Sequence, residues 1–338
     1  MQPLSRRSIL LACSAVIVAG SALMFAGSVL LSAGSALAQT YPARPVRIVV
    51  PFPAGGSNDI VARVIAQKLS ERNGQSFYVE NRGGAGGNIG AEAVAGSDPD
   101  GYTLLLTAPP PLTINAALYR DLRYDPLTAF APVGLIASVP IVLAVHPALG
   151  IGNVGELVAL AKAKPGTLFF GSSGNGSTNH LAGELLKSMT GIDIVHVPYK
   201  GAAPAMNDLV AGHIPVMFDN IPAVLPQVKG KNINAIAVAG SKRASALPDV
   251  PTIAESGVPG FDASAWFGLV APAKTPPPVL AKLEGDIDAI LKMPDVQKRF
   301  DELGAEPGTA SGAAFGKFLA DETAKWTKII RESGAKVD

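Results

Sequence analysis

The chain has 338 residues, of which 48% are hydrophobic, and a formal net charge of +1. Nucleic-acid binding needs a clustered positive surface, and this near-neutral sequence contains no basic block, so we exclude that class. Cys13 is the one cysteine, so no disulfide can link two parts of the chain. The fold must therefore be stabilised by core burial, which the hydrophobic content makes feasible.

The first 38 residues have the layout of a secretory signal peptide. Arg6 and Arg7 supply a basic start, an apolar run follows over residues 9–31, and Ala36-Leu37-Ala38 forms a small-x-small cleavage site. We predict cleavage after Ala38 and a periplasmic location. An uncleaved membrane anchor is the alternative, because about 20 apolar residues can span a bilayer.

Two weaker patterns leave the export route open. Ser5-Arg6-Arg7-Ser8 loosely matches a twin-arginine signal, and Cys13 loosely matches a lipidation site. Neither pattern chooses between general secretory and twin-arginine export.

Cleavage would leave 300 residues carrying 26 Lys and Arg against 27 Asp and Glu, a net charge of −1. That length suits two domains of ordinary size. No apolar stretch after residue 38 is long and unbroken enough to cross a membrane. We expect a soluble monomer.

Strand and helix patterns alternate along this part of the chain, which predicts an α/β fold with a mainly parallel sheet. The first unit is predicted as strand 46–52, helix 57–73, strand 77–80, a short helix to residue 94 and strand 102–107. The second is predicted as a helix opened by the capping box Asn153-x-x-Glu156, strand 167–171, a helix after residue 178, strand 192–197, a helix near Pro204, and strands 216–218 and 233–238. Helices near 278–291 and 315–331 end the chain.

These two units predict two lobes, with the chain crossing between them near residues 139–145 and 265–270. Lobe 1 is expected to comprise residues 39–140 and 265–338, since the C-terminal helices should return to it. Lobe 2 is expected to comprise residues 141–264.

Three polar, glycine-rich turns follow predicted strands. Ligands of open α/β sheets lie at the carboxyl ends of strands, where helix N-termini offer N–H groups to anions. Glycine lets the backbone approach a ligand closely, and hydroxyl groups add donors, although each turn can also be a simple capped connection. The residues concerned are Gly55, Gly56, Gly83, Gly84, Gly86, Gly87, Ser172, Ser173, Gly174, Gly176, Ser177 and Thr178.

One acidic residue has two open interpretations. Asp219 follows the strand 216–218 at its carboxyl end, so it either lines a cleft or caps a helix. The sequence does not give its direction.

The sequence contains little that indicates enzyme activity. No serine has glycine at both −2 and +2, so the nucleophile elbow of α/β hydrolases is absent. The spacing Gly84-x-Gly86-x-x-x-Gly90 fits a variant dinucleotide-binding turn, but the strand at 102–107 is not followed by an acid for the ribose. The four histidines, His146, His180, His196 and His213, lack metal-ligand spacing. We therefore predict no enzyme activity, no cofactor and no metal.

Several ordered motifs together closely resemble the Bug family, the extracytoplasmic receptors of tripartite tricarboxylate transporters. They span essentially all of the chain after the signal peptide. The motifs are residues 51–59 (PFPAGGSND), 81–90 (NRGGAGGNIG), 99–104 (PDGYTL), 174–181 (GNGSTNHL), 197–201 (VPYKG), 218–220 (FDN), 251–255 (PTIAE) and 266–269 (WFGL).

The resemblance implies a type II periplasmic-binding-protein fold, with two Rossmann-like lobes, a hinge and a central cleft. It implies that lobe 1 holds one ligand carboxylate through backbone N–H groups and water, and that lobe 2 meets the other end. The implied lobe 1 residues are Phe52, Ala54, Gly55, Gly56, Asn58, Asp59, Gly84, Ala85, Gly86 and, at the cleft edge, Thr107. The implied lobe 2 residues are Ser172, Ser173, Gly174, Ser177, Thr178, Tyr199, Gly201 and Asp219.

The function implied is capture of a small carboxylate, such as a di- or tricarboxylate, an amino acid or an aromatic acid, for the membrane components of a transporter. A receptor for a signalling kinase would use the same fold, and a secreted hydrolase is the weaker alternative. The Pro109-Pro110-Pro111 segment departs from the family and is expected to reshape the cleft edge.

Overall fold

The computed structural model describes residues 41–333. The predicted signal peptide and its cleavage site after Ala38 lie outside the described residues. Residues from Arg44 onward form one unit, to which the following description applies. Within the described range, no helix combines the length and apolar character that crossing a membrane requires.

Two separate sheets are built from strands that are short and largely buried. In chain order the strands are β1 Val46–Val50, β2 Phe77–Asn81, β3 Thr103–Thr107, β4 Phe130–Val139, β5 Ile141–Val145, β6 Leu168–Ser172, β7 Ile194–Pro198, β8 Val216–Asn220, β9 Asn234–Val238, β10 Ala265–Pro272 and β11 Glu306–Pro307. The first sheet has the order β11-β4-β10-β3-β1-β2, and the second has the order β7-β6-β8-β5-β9.

Helices connect these strands. They are α1 Ser57–Asn73, α2 Asn88–Ala95, α3 Asn115–Leu118, α4 Val154–Ala163, α5 Thr178–Thr190, α6 Ala202–Val210, α7 Ile221–Lys229, α8 Pro277–Leu291, α9 Pro294–Leu303 and α10 Gly312–Ser333. Short 3-10 turns lie at Ala85–Gly87 and Pro147–Leu149, and a π-turn lies at Pro110–Ile114.

Each sheet has a parallel β-α-β core that is completed by a strand of the opposite direction. In the first sheet β1 pairs in parallel with β2 and β3, and β10 pairs antiparallel with β3 and β4. In the second sheet β6 pairs in parallel with β7 and β8, and β5 pairs antiparallel with β8 and β9. Parallel connections place the following loops at one edge of each sheet, which is where the glycine-rich turns lie.

The chain passes between the sheets at two adjacent points. Pro140 alone separates β4 of the first sheet from β5 of the second. The return lies just before Ala265, which pairs with Val139, while the Ala263 N–H bonds the carbonyl of Ala239. Two extended segments lying side by side form a hinge between lobes, as the predicted fold requires.

The last helix packs against both lobes. Phe315, near its start, belongs to the apolar core under the first sheet, whereas Trp326 and Ile330 belong to the core of the second. Glu322 accepts hydrogen bonds from the indoles of Trp266 and Trp326. The C-terminal helix therefore contacts the cores of both sheets.

Some elements differ from the sequence-based expectation. Strand β4 was not predicted, because Pro132 and Gly134 interrupt its pattern and its pairing with β10 is irregular. Helix α9 was also not predicted, since only Val296 and Phe300 are buried on it. The first strand was predicted to run to residue 52 but ends at Val50, and Phe52 belongs to the following loop.

Candidate functional site

The loop after β1 leads into a helix whose first N–H groups lack a side-chain cap. Gly56 is the N-cap of α1, and no side chain bonds the helix start. Gly55 has φ +83°, and its N–H donates to Asp59 Oδ2 at 3.1 Å. Burial alone would raise the pKa of Asp59, but hydrogen bonds from Arg63, Gly55 and Asn81 hold it below its ordinary value. Asp59 is therefore ionised, and its hydrogen bond to the Gly55 N–H stabilises the loop.

The loop after β2 is shaped by consecutive residues of positive φ. Ala85, Gly86 and Gly87 have φ of 48°, 63° and 93°. A Cβ on Gly87 would come within 2.7 Å of the Pro111 ring. The proline segment 109–111 therefore packs directly on this loop.

Three more helices of the second lobe begin next to the cleft. Ser177 caps α5 by accepting from the His180 N–H at 3.1 Å. Gly201 and Asn220 are the N-caps of α6 and α7, and neither helix start has a side-chain cap bond. The N–H groups of these helix starts carry the positive end of the helix dipole, although at α7 the Ile221 N–H already donates to the Pro140 carbonyl and Pro222 has no N–H.

These four helix starts, one from the first lobe and three from the second, converge on one pocket. We call it the inner pocket; the space between its lining atoms is about 480 Å³, part of it open to solvent. Its lining consists of Phe52, Pro53, Gly56, Ser57, Asn58, Ala108, Pro110, Ser173, Ser177, Thr178, Asn179, Gly201, Ala202, Asp219 and Asn220. No Lys or Arg among residues 41–333 belongs to that lining, so positive potential there comes from backbone groups.

A wider and more apolar space, the outer groove, adjoins the inner pocket and shares Phe52, Pro53, Ser173, Ser177 and Gly201 with it. It measures about 1530 Å³ including open solvent. The remaining lining residues are Pro51, Gly83, Gly84, Ala85, Gly86, Gly87, Tyr119, Gly174, Asn175, Tyr199 and Lys200. Lys200 is its one charged lining residue within the described part of the chain.

The three glycine-rich turns therefore share one cleft, as the sequence predicts. Of the expected site residues, those in the inner pocket are Phe52, Gly56, Asn58, Ser173, Ser177, Thr178, Gly201 and Asp219. Those that line the outer groove without reaching the inner pocket are Gly84, Ala85, Gly86, Gly174 and Tyr199.

Five expected residues line neither space: Ala54, Gly55, Asp59, Thr107 and Ser172. Ala54 is exposed, and Gly55 and Asp59 brace each other. The Thr107 hydroxyl donates to the Ala108 carbonyl, and Ser172 bonds Gly174. Most of these residues shape the loops that do line the cleft.

Some lining residues were not singled out from the sequence. Asn179 and Ala202 lie in the first turns of α5 and α6, and Tyr119 follows α3. The first two could have been found by extending each glycine-rich turn into the first helical turn. Tyr119 has no such local signal.

Asp219 is held in a fixed orientation at the floor of the inner pocket. It is 1% exposed, and its Oδ1 accepts from Asn179 Nδ2 at 2.9 Å and from the Asn220 N–H at 2.8 Å. Its Oδ2 is buried and has no hydrogen-bond partner among the described residues. Burial raises the pKa of Asp219 to about 7, although the two hydrogen bonds lower it.

Two stacked histidines stabilise the loop 172–178 through hydrogen bonds to Gly176 and Ser172. The rings of His180 and His196 lie 3.9 Å apart. His180 Nδ1 accepts from the Gly176 N–H at 3.2 Å, and His196 Nε2 lies 2.7 Å from Ser172 Oγ. Burial, with nearby Lys187, lowers the pKa of His180 to about 4; burial, with His180 and Lys187, lowers that of His196 to about 3. Both are neutral near pH 7 and act as structural supports.

The lobes touch at the mouth of the cleft. A Cβ on Gly201 would lie 3.1 Å from the ring of Pro53, and one on Gly86 would lie 3.5 Å from the Asn175 carbonyl. Loops of opposite lobes therefore lie close together at this point. Within residues 41–333, no group of three or more His, Cys, Asp or Glu side chains is arranged to hold a metal ion.

Comparison with known proteins decides the family. Residues 61–335 match the sequence profile of the tripartite tricarboxylate transporter family receptor, TctC. The chain belongs to this family. Its members are periplasmic binding receptors, and the protein is accordingly a periplasmic solute-binding receptor and not an enzyme.

Relatives of known sequence and structure agree. The chain is 42% identical to protein BugT of Bordetella pertussis over 301 residues, which cover 89% of this chain and 92% of that protein. The structure of R. palustris Rpa4515 with adipate has a TM-score of 0.85 and 42% identity, covering 88% of this chain and all of that one. MatC from Rhodopseudomonas palustris with bound malate has a TM-score of 0.81 and 33% identity, covering 86% and 100%. The resemblance to the Bug family and the two-lobed fold are confirmed.

Proposed function

We propose that the inner pocket binds a small dicarboxylate for delivery to the membrane components of a tripartite tricarboxylate transporter. The observation that carries this proposal is the convergence of the N-termini of α1, α5, α6 and α7 on a pocket lined by no Lys or Arg of the described chain. Such N–H groups favour anions. Two related receptors were solved with dicarboxylates, adipate and malate.

The proposed ligand contacts come from both lobes. From the first lobe, the first turn of α1 at Gly56, Ser57 and Asn58 would hold one carboxylate. From the second lobe, the first turn of α5 and Asp219 would meet the other end. The outer groove, with Tyr199 and Lys200, would admit the ligand or hold a longer chain. The other expected residues, Ala54, Gly55, Asp59, Thr107 and Ser172, would act by shaping the loops.

Contacts with both lobes would couple binding to closure. Ligand held by α1 gains the contacts of α5 only in the closed arrangement, so binding shifts the hinge equilibrium. Four to six charge-assisted hydrogen bonds of roughly 1.5–3 kcal/mol each give on the order of 10 kcal/mol gross. Association takes back several kcal/mol, which leaves a Kd of about 1 μM.

The finer division of the chain is part of the proposal. Residues 1–38 would be removed on export, residues 39–140 and 265–338 would form lobe 1, and residues 141–264 would form lobe 2. Mass measurement of the exported protein would test the cleavage after Ala38, because that cleavage predicts a mature chain of 300 residues.

A thermal-shift screen of the mature protein tests the ligand class. We expect linear dicarboxylates to raise the Tm, since a ligand at about 100 times its Kd adds about 2.7 kcal/mol to stability. Diamines and uncharged diols of the same length serve as controls and should give no shift. If the diamines stabilise the protein and no carboxylate does, the proposal is wrong.

A further inference from the structure

The carboxyl group of Asp219 has one oxygen that is hydrogen-bonded within the protein and one that has no partner in the described chain. Oδ1 accepts two hydrogen bonds, from Asn179 and Asn220. Oδ2 has no partner in the described chain, although it is fully buried and its residue lines the inner pocket. When the group is protonated, the proton must therefore lie on Oδ2, because both donors point at Oδ1.

No charged group balances Asp219 from the elements packed around it. Strands β5 and β6 carry no charged side chain. On α5, Glu184 pairs with Lys187 at 2.9 Å, and His180 is neutral. On α6, Asp208 bonds the Tyr199 hydroxyl.

Lys200 lines the outer groove and not the inner pocket, and the other charges near the cleft are directed elsewhere. Lys229 lies in the last turn of α7, far along the helix from Asp219 at its start. Asp59 on α1 pairs with Arg63 at 2.9 Å. Burial, opposed by the two hydrogen bonds to Oδ1, therefore sets the pKa of Asp219 at about 7.

We propose that Asp219 binds the ligand as a neutral carboxylic acid, donating a hydrogen bond from Oδ2 to the ligand's second carboxylate. This inference rests on the proposed function. Two carboxylates in hydrogen-bond contact cannot both be ionised without a cation between them. Capture of a dianion then requires that one proton from solution reside on Oδ2, so binding is coupled to proton uptake.

The coupling gives the affinity a definite pH dependence. The carboxyl groups of a simple dicarboxylate are ionised above about pH 6, so Asp219 is the group that titrates in the site. With a pKa of about 7 in the free protein, the association constant should fall about tenfold from pH 6 to pH 8. Near pH 8, binding should take up about 0.9 proton per ligand.

Asp219→Asn is the matched variant. Its Oδ1 can keep both bonds from Asn179 and Asn220, and its Nδ2 places a permanent donor where the acid proton would lie. The variant should bind the same dicarboxylate with an affinity near that of the wild type at pH 6. Its affinity should not change between pH 6 and pH 8, and it should take up no proton.

Titration calorimetry of the mature protein in buffers of different ionisation enthalpy measures the affinity and the number of protons taken up on binding. The probes are a linear dicarboxylate and an amino-dicarboxylate of the same length. Thermal unfolding at pH 6 checks that the variant is folded. The expected result is a tenfold loss of wild-type affinity by pH 8 and a flat profile for Asp219→Asn.

Two results would overturn the inference while leaving the proposed function intact. One is dicarboxylate binding by the wild type that is independent of pH. The other is loss of binding in Asp219→Asn together with wild-type binding of the amino-dicarboxylate that strengthens as pH rises, since an ionised Asp219 would then accept from the ammonium group. If neither wild type nor variant binds any carboxylate, the proposed function itself fails.

Discussion

Replacing Gly56 with valine should block the inner pocket without disturbing the fold. Gly56 has φ −79° and ψ 166°, a conformation open to any residue. A Cβ there would meet nothing nearer than the Pro53 carbonyl at 3.7 Å, so the valine methyl groups would enter the space that Gly56 lines. Losing two charge-assisted hydrogen bonds of about 1.5–3 kcal/mol each should raise the Kd at least about 100-fold. The stability should stay within about 1 kcal/mol of the wild type.

Gly55→Ala is the control for this substitution. Gly55 lines neither space, and a Cβ there meets no atom within 4 Å, but its φ of +83° disfavours alanine. We expect a loss of about 1–2 kcal/mol in unfolding free energy with little change in Kd. Calorimetric titration with a dicarboxylate measures the Kd, and urea denaturation measures the unfolding free energy. Wild-type affinity in Gly56→Val, with affinity lost in Gly55→Ala, would refute a ligand site at the start of α1.

Three further predictions concern stability. The lowered pKa values of His180 and His196 mean that their contribution to the free energy of unfolding is fully present above pH 6.5 and is lost as the pH falls toward 4. Each histidine should cost about 2 kcal/mol of that free energy by pH 5. Replacing both with glutamine should therefore reduce the change in the urea midpoint between pH 7 and pH 5. The raised pKa of Asp219 means that its contribution to the free energy of unfolding is lost as the pH rises through about 7. The Tm of Asp219→Asn should therefore exceed that of the wild type by more at pH 8 than at pH 5. An equal difference in Tm at the two pH values would contradict this. Gly183→Ala should destabilise the protein by about 1–3 kcal/mol, because its Cβ would clash with the buried ring of Phe170. Gly285→Ala, whose Cβ would meet no atom within 4 Å, should stabilise it by about 0.5–1 kcal/mol in the same urea denaturation assay.

The loops of the cleft could be predicted because glycine reports local backbone geometry. Gly84 and Gly174 both have φ of +128°, a conformation that other residues avoid. Their position after strands then follows from the alternation of strand and helix patterns. Sequence alone could therefore place the loops at one edge, although not the width of the cleft between them.

The direction of Asp219 could not be read from the sequence because strand β8 is buried throughout. A strand buried on both faces has no alternation of polar and apolar residues from which a direction could be inferred. Its partner Asn179 lies 40 residues earlier in an ordinary helical turn. Only the packing of α5 against β8 brings the two side chains together.

The irregular strand β4 was missed for a related reason. Its proline and glycine argue locally against a strand, and pairing with the fully buried β10 overrides that signal. The sequence nevertheless predicts a crossing between the lobes near residues 139–145, where β4 ends.

A crystal structure of the mature protein with the dicarboxylate that gives the largest thermal shift tests the central claim most directly. We predict one ligand carboxylate at the first turn of α1 and the other beside Asp219 Oδ2, with the N–H groups of α1 and α5 as donors and no lysine or arginine in contact. A ligand that lies in the outer groove with a carboxylate paired to Lys200, leaving the inner pocket to water, would contradict the account.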